Sequence, residues 1–426
     1  MIAAASFRRD MIAFALLACV IVGVFLVQGP VYSTRMIVEA CCYAILALGL
    51  NVQWGYGGLF NVGVMGFVAA GAATATVVSF PVNPEFWNSQ GPAMVLGLFA
   101  RLGLAIALIA LANRSHRFGA GKRLRALLIA IAIAFSWIML SSHMDPMART
   151  IESQAGWIGG MGLPVFAGWA AAAIVAGAIA WFVGGVCLGL RTDYLAIATL
   201  GFAQIIKTFL KNADWLTKGT LTVSPLPWPV AKPEDGAFLL SRSLYLCVVA
   251  VLIVIIYLAL QRAWHAPWGR MMRAIRDNEE AAQAMGKDVD RRRLEIFIFG
   301  SMLVGLGGAV LIQFTSVFDP AGFLDLNHTF LIWVMVILGG SGNNRGAILG
   351  ALLVYIIWTM SEPAALWLFD LARTYGEAWF GWQAPSDLDS RALQMRVFVI
   401  GLTITIVLRV APRGVLPERA PHRDQF

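Results

Sequence analysis

Two short glycine–lysine segments are the closest that the sequence comes to a nucleotide-phosphate site. A phosphate-binding P-loop needs the pattern GxxxxGK followed by Ser or Thr, whose hydroxyl binds Mg²⁺. Lys122 precedes Arg123 and Lys287 precedes Asp288, so neither segment has the required hydroxyl. We therefore predict that this chain is not an ATPase and holds no cofactor of its own.

The residue types also disfavour a metal centre and a hydrolytic site. The five histidines are dispersed, without HxxxH or HExxH spacing, so no metal site is predicted. Hydrolysis within a membrane needs two converging acids, one as general acid and one as base. Glu39, Glu295 and Glu362 each lie near the end of an apolar run instead. No catalytic residue is predicted.

Polar residues that interrupt the apolar runs are candidates for a transport pathway. Such residues are costly in lipid and usually face the bundle interior or a water path. Gln204 and Lys207 lie about one helical turn apart, and Thr199 extends the same polar stripe. We predict that Asn51, Asn61, Thr199, Gln204 and Lys207 line the path of a zwitterionic or amide substrate. The alternative is an interhelical hydrogen bond or, for Lys207, extension to the surface.

The segment 261–293 is the one large soluble feature of the chain, and it carries a dense set of charges. Asp277 stands three residues before Glu280, which is the spacing of a capping box. Helix formers follow, and Gly286 supplies the stop. The pattern predicts an isolated helix of about eight residues, roughly 12 Å long. A helix this short must pack against something, either the bundle's own face or a partner.

Membrane-spanning helices must position these residues. Of the 426 residues, 59% are hydrophobic and 13% charged, whereas soluble domains have about 45–50% and about 25%. This composition excludes a soluble enzyme, a disordered protein and a disulfide scaffold. The apolar runs are continuous, which favours helices over the alternating strands of a barrel. We predict an all-α, polytopic transmembrane bundle of roughly 10–12 spans, with 1–426 forming a single domain.

Each predicted span is an apolar run bounded by polar residues or glycines. Three of them, 58–79, 194–211 and 328–340, are glycine-rich, polar or short, so we predict broken or re-entrant segments there. The first run has the charge order of a signal peptide but no cleavage site, and we predict a retained span. The full set is 11–28, 36–52, 58–79, 93–112, 124–141, 163–190, 194–211, 240–260, 294–315, 328–340, 346–369 and 395–411.

The net charge of +8 is interpreted as an orientation signal rather than a nucleic-acid-binding one. Basic residues gather in 113–125, 261–293 and the tail 409–426, whereas 80–92 and 317–327 contain no Lys or Arg. The positive-inside rule then predicts that both termini are cytoplasmic. The predicted surroundings are a lipid bilayer, with no nucleic acid partner.

Four stretches of the sequence resemble one family, and they occur in the same order as in that family. Glu280-Ala281-Ala282, three residues and Gly286 match the EAA-x-x-x-G loop of ABC-transporter permeases. The residues around this loop, together with 39–72, 189–219 and 337–354, resemble the LivM-type permeases of branched-chain amino acid importers. The segments 80–160 and 370–394 look like insertions relative to that pattern.

The resemblance implies a role for the soluble segment and a set of partners. It implies that Asp277, Glu280, Ala281, Ala282 and Gly286 form a coupling helix that docks in a cleft of a cytoplasmic ATPase. It also implies a second, LivH-like permease, two ABC ATPase subunits that hold ATP and Mg, and a periplasmic substrate-binding protein. The implied location is the bacterial inner membrane, as a multi-pass protein.

The implied function is that of a permease subunit importing branched-chain or other small amino acids. A urea or short-amide ABC permease is an alternative, because the chain departs from the family pattern at 58–64 and 217–222. An ion-coupled secondary transporter is a further alternative. It needs titratable groups within the membrane, and the predicted spans offer almost none beyond Lys207.

Overall fold

The computed structural model describes residues 2–115, 121–230, 238–380, 385 and 387–418. Within these residues the chain is built from α-helices and short connections. The helices are α1 (Ile2–Gln28), α2 (Pro30–Asn51), α3 (Val64–Ser79), α4 (Pro84–Trp87), α5 (Gly91–Arg114), α6 (Lys122–Ala155), α7 (Val165–Cys187), α8 (Thr192–Asn212), α9 (Asp214–Thr217), α10 (Phe238–His265), α11 (Pro267–Asp277), α12 (Glu279–Ala284), α13 (Val289–Thr315), α14 (Leu331–Gly339), α15 (Asn344–Phe380) and α16 (Leu388–Val410).

The predicted polytopic helical bundle is confirmed. Ten helices in the described part of the chain are long and apolar enough to cross a membrane, and two shorter apolar helices, Val64–Ser79 and Leu326–Gly339, accompany them. Each of the twelve predicted runs overlaps one of these helices.

Helix α13 lies at the centre of the bundle and packs against α2, α3 and α7. Between membrane helices, close packing depends on small residues because lipid is as apolar as a leucine side chain. At the crossing of α3 and α13, a Cβ added to Gly71 would lie 2.1 Å from the Gly305 carbonyl oxygen. The crossing therefore requires glycine at position 71.

The predicted break within 58–79 is confirmed. Helix α2 continues into a π-helical turn, Val52–Tyr56, after which the chain unwinds until α3 begins at Val64. Gly58 has a φ of +65°, which glycine adopts without strain. The freed backbone groups find partners inside the protein, as backbone at membrane depth requires. One of them, the Asn61 carbonyl oxygen, accepts a hydrogen bond from Trp333 Nε1 at 3.0 Å.

The predicted break within 194–211 is wrong, because α8 is continuous from Thr192 to Asn212. Gly201 is exposed, and Gln204 and Lys207 are half-exposed, so these residues do not interrupt the helix. Its buried residues are Leu195, Thr199, Ala203 and Leu210. The prediction for 328–340 holds in part. Helix α14 is short and follows a π-helical turn at Leu326–Phe330.

The C-terminal segment 411–418 folds back over the tight turn between α14 and α15. The Val415 and Leu416 amides donate to the carbonyl oxygens of Leu338 at 2.8 Å and Gly339 at 3.0 Å. This pairing brings the tail, the turn and the end of α2 to the same end of the bundle as α11 and α12.

Helices α5 and α6 form a hairpin within the segment 80–160. They pack mainly against each other, and only 6% of an apolar 18-residue stretch in each helix is buried. A small apolar cluster containing Phe86, Met147 and Trp215 joins the hairpin to α4 and α9. The rest of the hairpin presents apolar side chains outward.

Candidate functional site

The short helix predicted within 261–293 is present as α12, with a different cap. Asn278, not Asp277, is the N-cap residue, and its Oδ1 accepts a hydrogen bond from the Ala281 amide at 3.0 Å. Asp277 is instead the last residue of α11. The extended conformation of Asn278, with φ −157°, separates the two helices and leaves α12 with six residues. Sequence spacing missed this because Asp and Asn are both good caps.

One face of α12 packs on the protein, and the other is open. Ala282 is buried in a small cluster with Ile275 and Val289, so among the residues assigned to the coupling helix it packs on the protein itself. The six-residue helix turns this side chain inward, while Glu280 and Ala281 are exposed. Met285 follows with 79% of its surface exposed. The open face thus offers a carboxylate, a methyl group and a thioether.

Gly286 ends this helix as predicted. Its φ is +76°, a left-handed conformation that favours glycine, and nothing lies within 4 Å of a Cβ built on it. Asp288 then caps α13, because its Oδ1 accepts from the Arg291 amide at 3.1 Å.

Arg276, at the end of α11, connects the α11–α12 unit to the bundle. Its guanidinium donates to the Gly55 carbonyl oxygen within the π-helical turn that ends α2. It also pairs with Glu418 of the tail at 2.9 Å and with Asp277 at 3.5 Å. Neither Arg276 nor Glu418 stood out in the sequence, where each is one charge among many. Only the fold brings them together.

A buried hydrogen-bond network lies just inside this contact. The Asn51 amide nitrogen donates to Asn344 Oδ1 at 3.2 Å, and the Tyr56 hydroxyl donates to the same oxygen at 2.8 Å. Asn51 Oδ1 accepts from the Gly342 amide at 2.8 Å. Asn51 is fully buried. Its polar atoms are thus used to join the end of α2 to the turn before α15.

Two other predicted pathway residues are also engaged in helix packing. Asn61 donates to Gln53 Oε1 at 2.8 Å, and Gln53 in turn donates to Ser301 Oγ at 2.9 Å. Thr199 Oγ1 accepts from the Val62 amide at 3.2 Å and holds α8 against the unwound segment. For Asn51, Asn61 and Thr199, these contacts correspond to the interhelical alternative.

Gln204 and Lys207 occupy a different setting, a polar cluster at the edge of α8. Gln204 Nε2 donates to Asp325 Oδ2 at 2.8 Å. The His328 ring contacts Phe323 nearby. Asp325 is exposed, and Gln204 and Lys207 are half-buried. Asp325 was missed because 317–327 was predicted as an outer loop, whereas this segment returns along α8. His328, at the start of the predicted span 328–340, was considered only as a metal ligand.

The described residues hold no group of three or more His, Cys, Asp or Glu arranged to bind a metal ion. The polar cluster instead combines a carboxylate, an amide and an ammonium along one open edge of α8. This arrangement suits hydrogen bonding to a small polar ligand that carries both charges.

One protein-family model matches the chain over residues 32–143 and 125–408, and its description is "Branched-chain amino acid transport system / permease component". These two matches together include the segments 80–160 and 370–394. No solved structure matches the chain.

Curated relatives agree with that match. The chain is 26% identical over 370 residues to the high-affinity branched-chain amino acid transport system permease protein LivM of Salmonella typhimurium, covering 82% of this chain and 68% of the relative. It is 23% identical over 255 residues to a probable LivM protein of Methanocaldococcus jannaschii, covering 58% and 68%. The LivH permease protein of Escherichia coli is 27% identical over 215 residues, covering 49% of this chain and 66% of LivH.

Proposed function

Because this chain belongs to the branched-chain amino acid transport system permease family, we propose that it moves branched-chain or other small amino acids through the membrane. It is a multi-pass membrane protein and a permease subunit of an amino acid ABC importer. ATP hydrolysis supplies the energy, in two separate ABC ATPase subunits that hold ATP and Mg. A periplasmic binding protein delivers the substrate, and the membrane is the bacterial inner membrane.

The single observation that carries this proposal, beyond the family itself, is the open polar edge of α8. A carboxylate and an ammonium facing lipid are costly, so Asp325 and Lys207 need either water or protein over them. A second permease packed on this edge covers it and leaves a polar path between the two chains. The similarity to LivH as well as LivM supports such a pair.

The charges of the cluster suit the two ends of an amino acid. Asp325 accepts hydrogen bonds from the ammonium, and Lys207 pairs with the carboxylate. Gln204 donates a hydrogen bond to Asp325 and so fixes the orientation of the Asp325 carboxylate. An apolar side chain then lies against the apolar surface of α8, where Ile205 is 63% exposed. A short amide lacks both charges and gains less from this cluster.

Coupling to the ATPases uses a different part of the chain, helices α11 and α12. The exposed face of α12, with Glu280, Ala281 and Met285, enters the cleft of an ATPase subunit, and Gly286 sets the exit of the chain. Movement of α12 reaches the bundle through α11, since Arg276 bonds directly to the Gly55 carbonyl oxygen. The coupling loop 261–293 is thus part of the single transmembrane domain.

The test is purification of the tagged chain in mild detergent, followed by identification of its partners. We expect a second permease and an ABC ATPase in the preparation. After reconstitution with the binding protein, leucine, isoleucine or valine is expected to stimulate ATP hydrolysis more than urea or a short amide does. Stimulation by urea alone would move the substrate to the amide class. Transport without any ATPase would exclude an ABC importer.

A further inference from the structure

A polar pocket lies between α2, α15 and α16, away from the polar edge of α8. Its volume is about 280 Å³, near the lower end of ligand pockets, which are about 300–1,000 Å³. Its polar lining includes Arg35, Glu39, Tyr355 and Arg396. The pocket is at the end of the bundle opposite α12, because α2 runs from Pro30, near the pocket, to the Gly55 contact with α11.

The pocket is lined by helices that are long and apolar enough to cross a membrane. Glu39 is about 14 Å along α2 from Pro30, and Arg396 is about 12 Å along α16 from Leu388, at ~1.5 Å per residue. Both helices are long enough to span the membrane. Charged side chains on membrane-spanning helices are costly and commonly mark a functional site.

The carboxylates of the pocket region already interact with side chains of the protein through hydrogen bonds and ion pairs. One oxygen of Glu39 accepts from Arg35 Nε at 3.0 Å, and the other accepts from the Tyr355 hydroxyl. The Glu362 carboxylate pairs with Arg396. These carboxylates therefore have little capacity left to bind a cationic ligand.

The guanidinium groups, in contrast, retain donors. In the part of the chain that the structure describes, Arg35 bonds to Glu39 through Nε, and 58% of its side chain stays exposed. Arg396 Nε is buried without a hydrogen-bond partner among the described residues. Arg242 donates to the carbonyl oxygen of Val31 at 3.0 Å, about one helical turn before Arg35 on α2. Three guanidiniums against two carboxylates leave an excess of positive charge.

The surroundings of these donors are apolar. On α16, the helix that carries Arg396, Val397 is 50% exposed and Phe398 is 60% exposed. A ligand for this place needs an anionic head with several acceptor oxygens and a long apolar body. Guanidinium groups bind phosphate through paired, charge-assisted hydrogen bonds, and these strengthen away from bulk water.

We propose that this pocket binds the phosphate of an anionic phospholipid. The headgroup phosphate accepts hydrogen bonds from Arg35 and Arg396, and the acyl chains lie along the apolar surface of α16. Glu362 competes with the phosphate for Arg396, so lipid occupancy depends on the balance between these two anions.

The experiment uses the assembled transporter, taken from nanodiscs that contain equal amounts of phosphatidylglycerol and phosphatidylcholine. Native mass spectrometry then counts retained lipids for the unmodified protein, R35Q/R396Q, E362Q and the control R191Q. Arg191 is an exposed residue before α8, so R191Q removes one positive charge away from the pocket. We expect retained phosphatidylglycerol to fall by about tenfold in R35Q/R396Q, as for lost hydrogen bonds to a charged group.

The E362Q variant separates a lipid site from a purely structural ion pair. Loss of the competing carboxylate is expected to raise phosphatidylglycerol occupancy, and R191Q is expected to leave it unchanged. The proposal is overturned if E362Q lowers occupancy, or if phosphatidylcholine is retained as well as phosphatidylglycerol. Displacement of the lipid by millimolar inorganic phosphate would assign the site to free phosphate and overturn the lipid proposal. If R35Q/R396Q does not assemble, E362Q and the lipid comparison still decide the outcome.

Discussion

At the scale of single residues, Arg276 joins three parts of the chain that are distant in sequence. Its guanidinium bonds to the Gly55 carbonyl oxygen, and it pairs with Glu418 and with Asp277. Hydrogen bonds to charged groups contribute about 1.5–3 kcal/mol each when they are well formed. In the proposed mechanism, this contact transmits displacement of α11 to the end of α2.

Replacement of Arg276 by glutamine tests this link. We expect R276Q to reduce substrate uptake by about tenfold, because the bond to Gly55 and the ion pair with Glu418 are both lost. The membrane level of the protein is expected to change little, since the side chain is only partly buried. The measurement is uptake of labelled leucine per amount of inserted protein.

The matched control for this change is R270Q, on an exposed residue of the same helix. Its uptake is expected to equal that of the unmodified chain. Equal uptake by R276Q and R270Q would show that Arg276 does not transmit the movement.

A second prediction at this scale concerns Asp325 at the edge of α8. D325N keeps the shape of the side chain and its contact with Gln204 but removes the charge proposed to bind the substrate ammonium. We expect the KM for uptake to rise by about tenfold or more, with a smaller change in maximal rate. Transport assays over a range of leucine concentrations measure both quantities.

D193N provides the control, because Asp193 is an exposed residue in the first turn of α8. If D325N and D193N give the same KM, the carboxylate at position 325 does not bind substrate.

At the scale of elements, two irregular features matter: the short helix α12 and the break at the end of α2. Helix α12 ends after six residues and leaves an exposed tip, while the break after the π-helical turn Val52–Tyr56 gives Arg276 a backbone oxygen to bind. An unbroken α2 would use that oxygen for its own helical hydrogen bond. The irregular backbone therefore creates the contact between α11 and the bundle.

Helix α12 carries its own prediction. G286R places a bulky residue at a φ of +76°, and E280K reverses the charge on the exposed face. We expect each variant to abolish uptake while insertion into the membrane persists, because both positions are exposed. Uptake and membrane level are measured together by transport assay and immunoblot.

G189A is the control for the glycine change, since nothing lies within 4 Å of a Cβ at Gly189 and its φ is not in the left-handed region. Normal uptake by both G286R and E280K, at normal membrane levels, would contradict a role for α12 in coupling.

At the scale of the whole molecule, the chain has two kinds of exposed helix surface. The α5–α6 hairpin is apolar over most of its length, as expected of a surface in lipid. The edge of α8 carries Gln204, Lys207 and the nearby Asp325, which need another cover. This contrast is the reason for placing the second permease on α8.

Cross-linking tests that placement. A cysteine at Ile205, 63% exposed on α8, is expected to form a cross-link with the second permease. A cysteine at Trp137, 73% exposed on α6, is expected to form none. The native exposed cysteines Cys19 and Cys247 are first replaced by serine. Cross-linking through Trp137 but not Ile205 would move the interface to the hairpin.

The sequence by itself determined the class of fold, the approximate position of every apolar helix and the existence of α12 with its stop at Gly286. These features depend on hydropathy, glycine and capping, which act over a few neighbouring residues and are therefore visible locally. The wrong cap at Asp277 has the same origin, since two adjacent residues offered nearly equal local signals.

Only the tertiary structure decided which polar residues meet. Asn51 and Asn344 are 293 positions apart, and Arg276 and Glu418 are 142 apart. Such pairs depend on how each helix is rotated and where it crosses its neighbours. Hydropathy does not encode that rotation, because in these helices apolar side chains face both lipid and core. The same reason explains why the sequence did not reveal the contact of Thr199 with Val62 or the position of Asp325 beside α8.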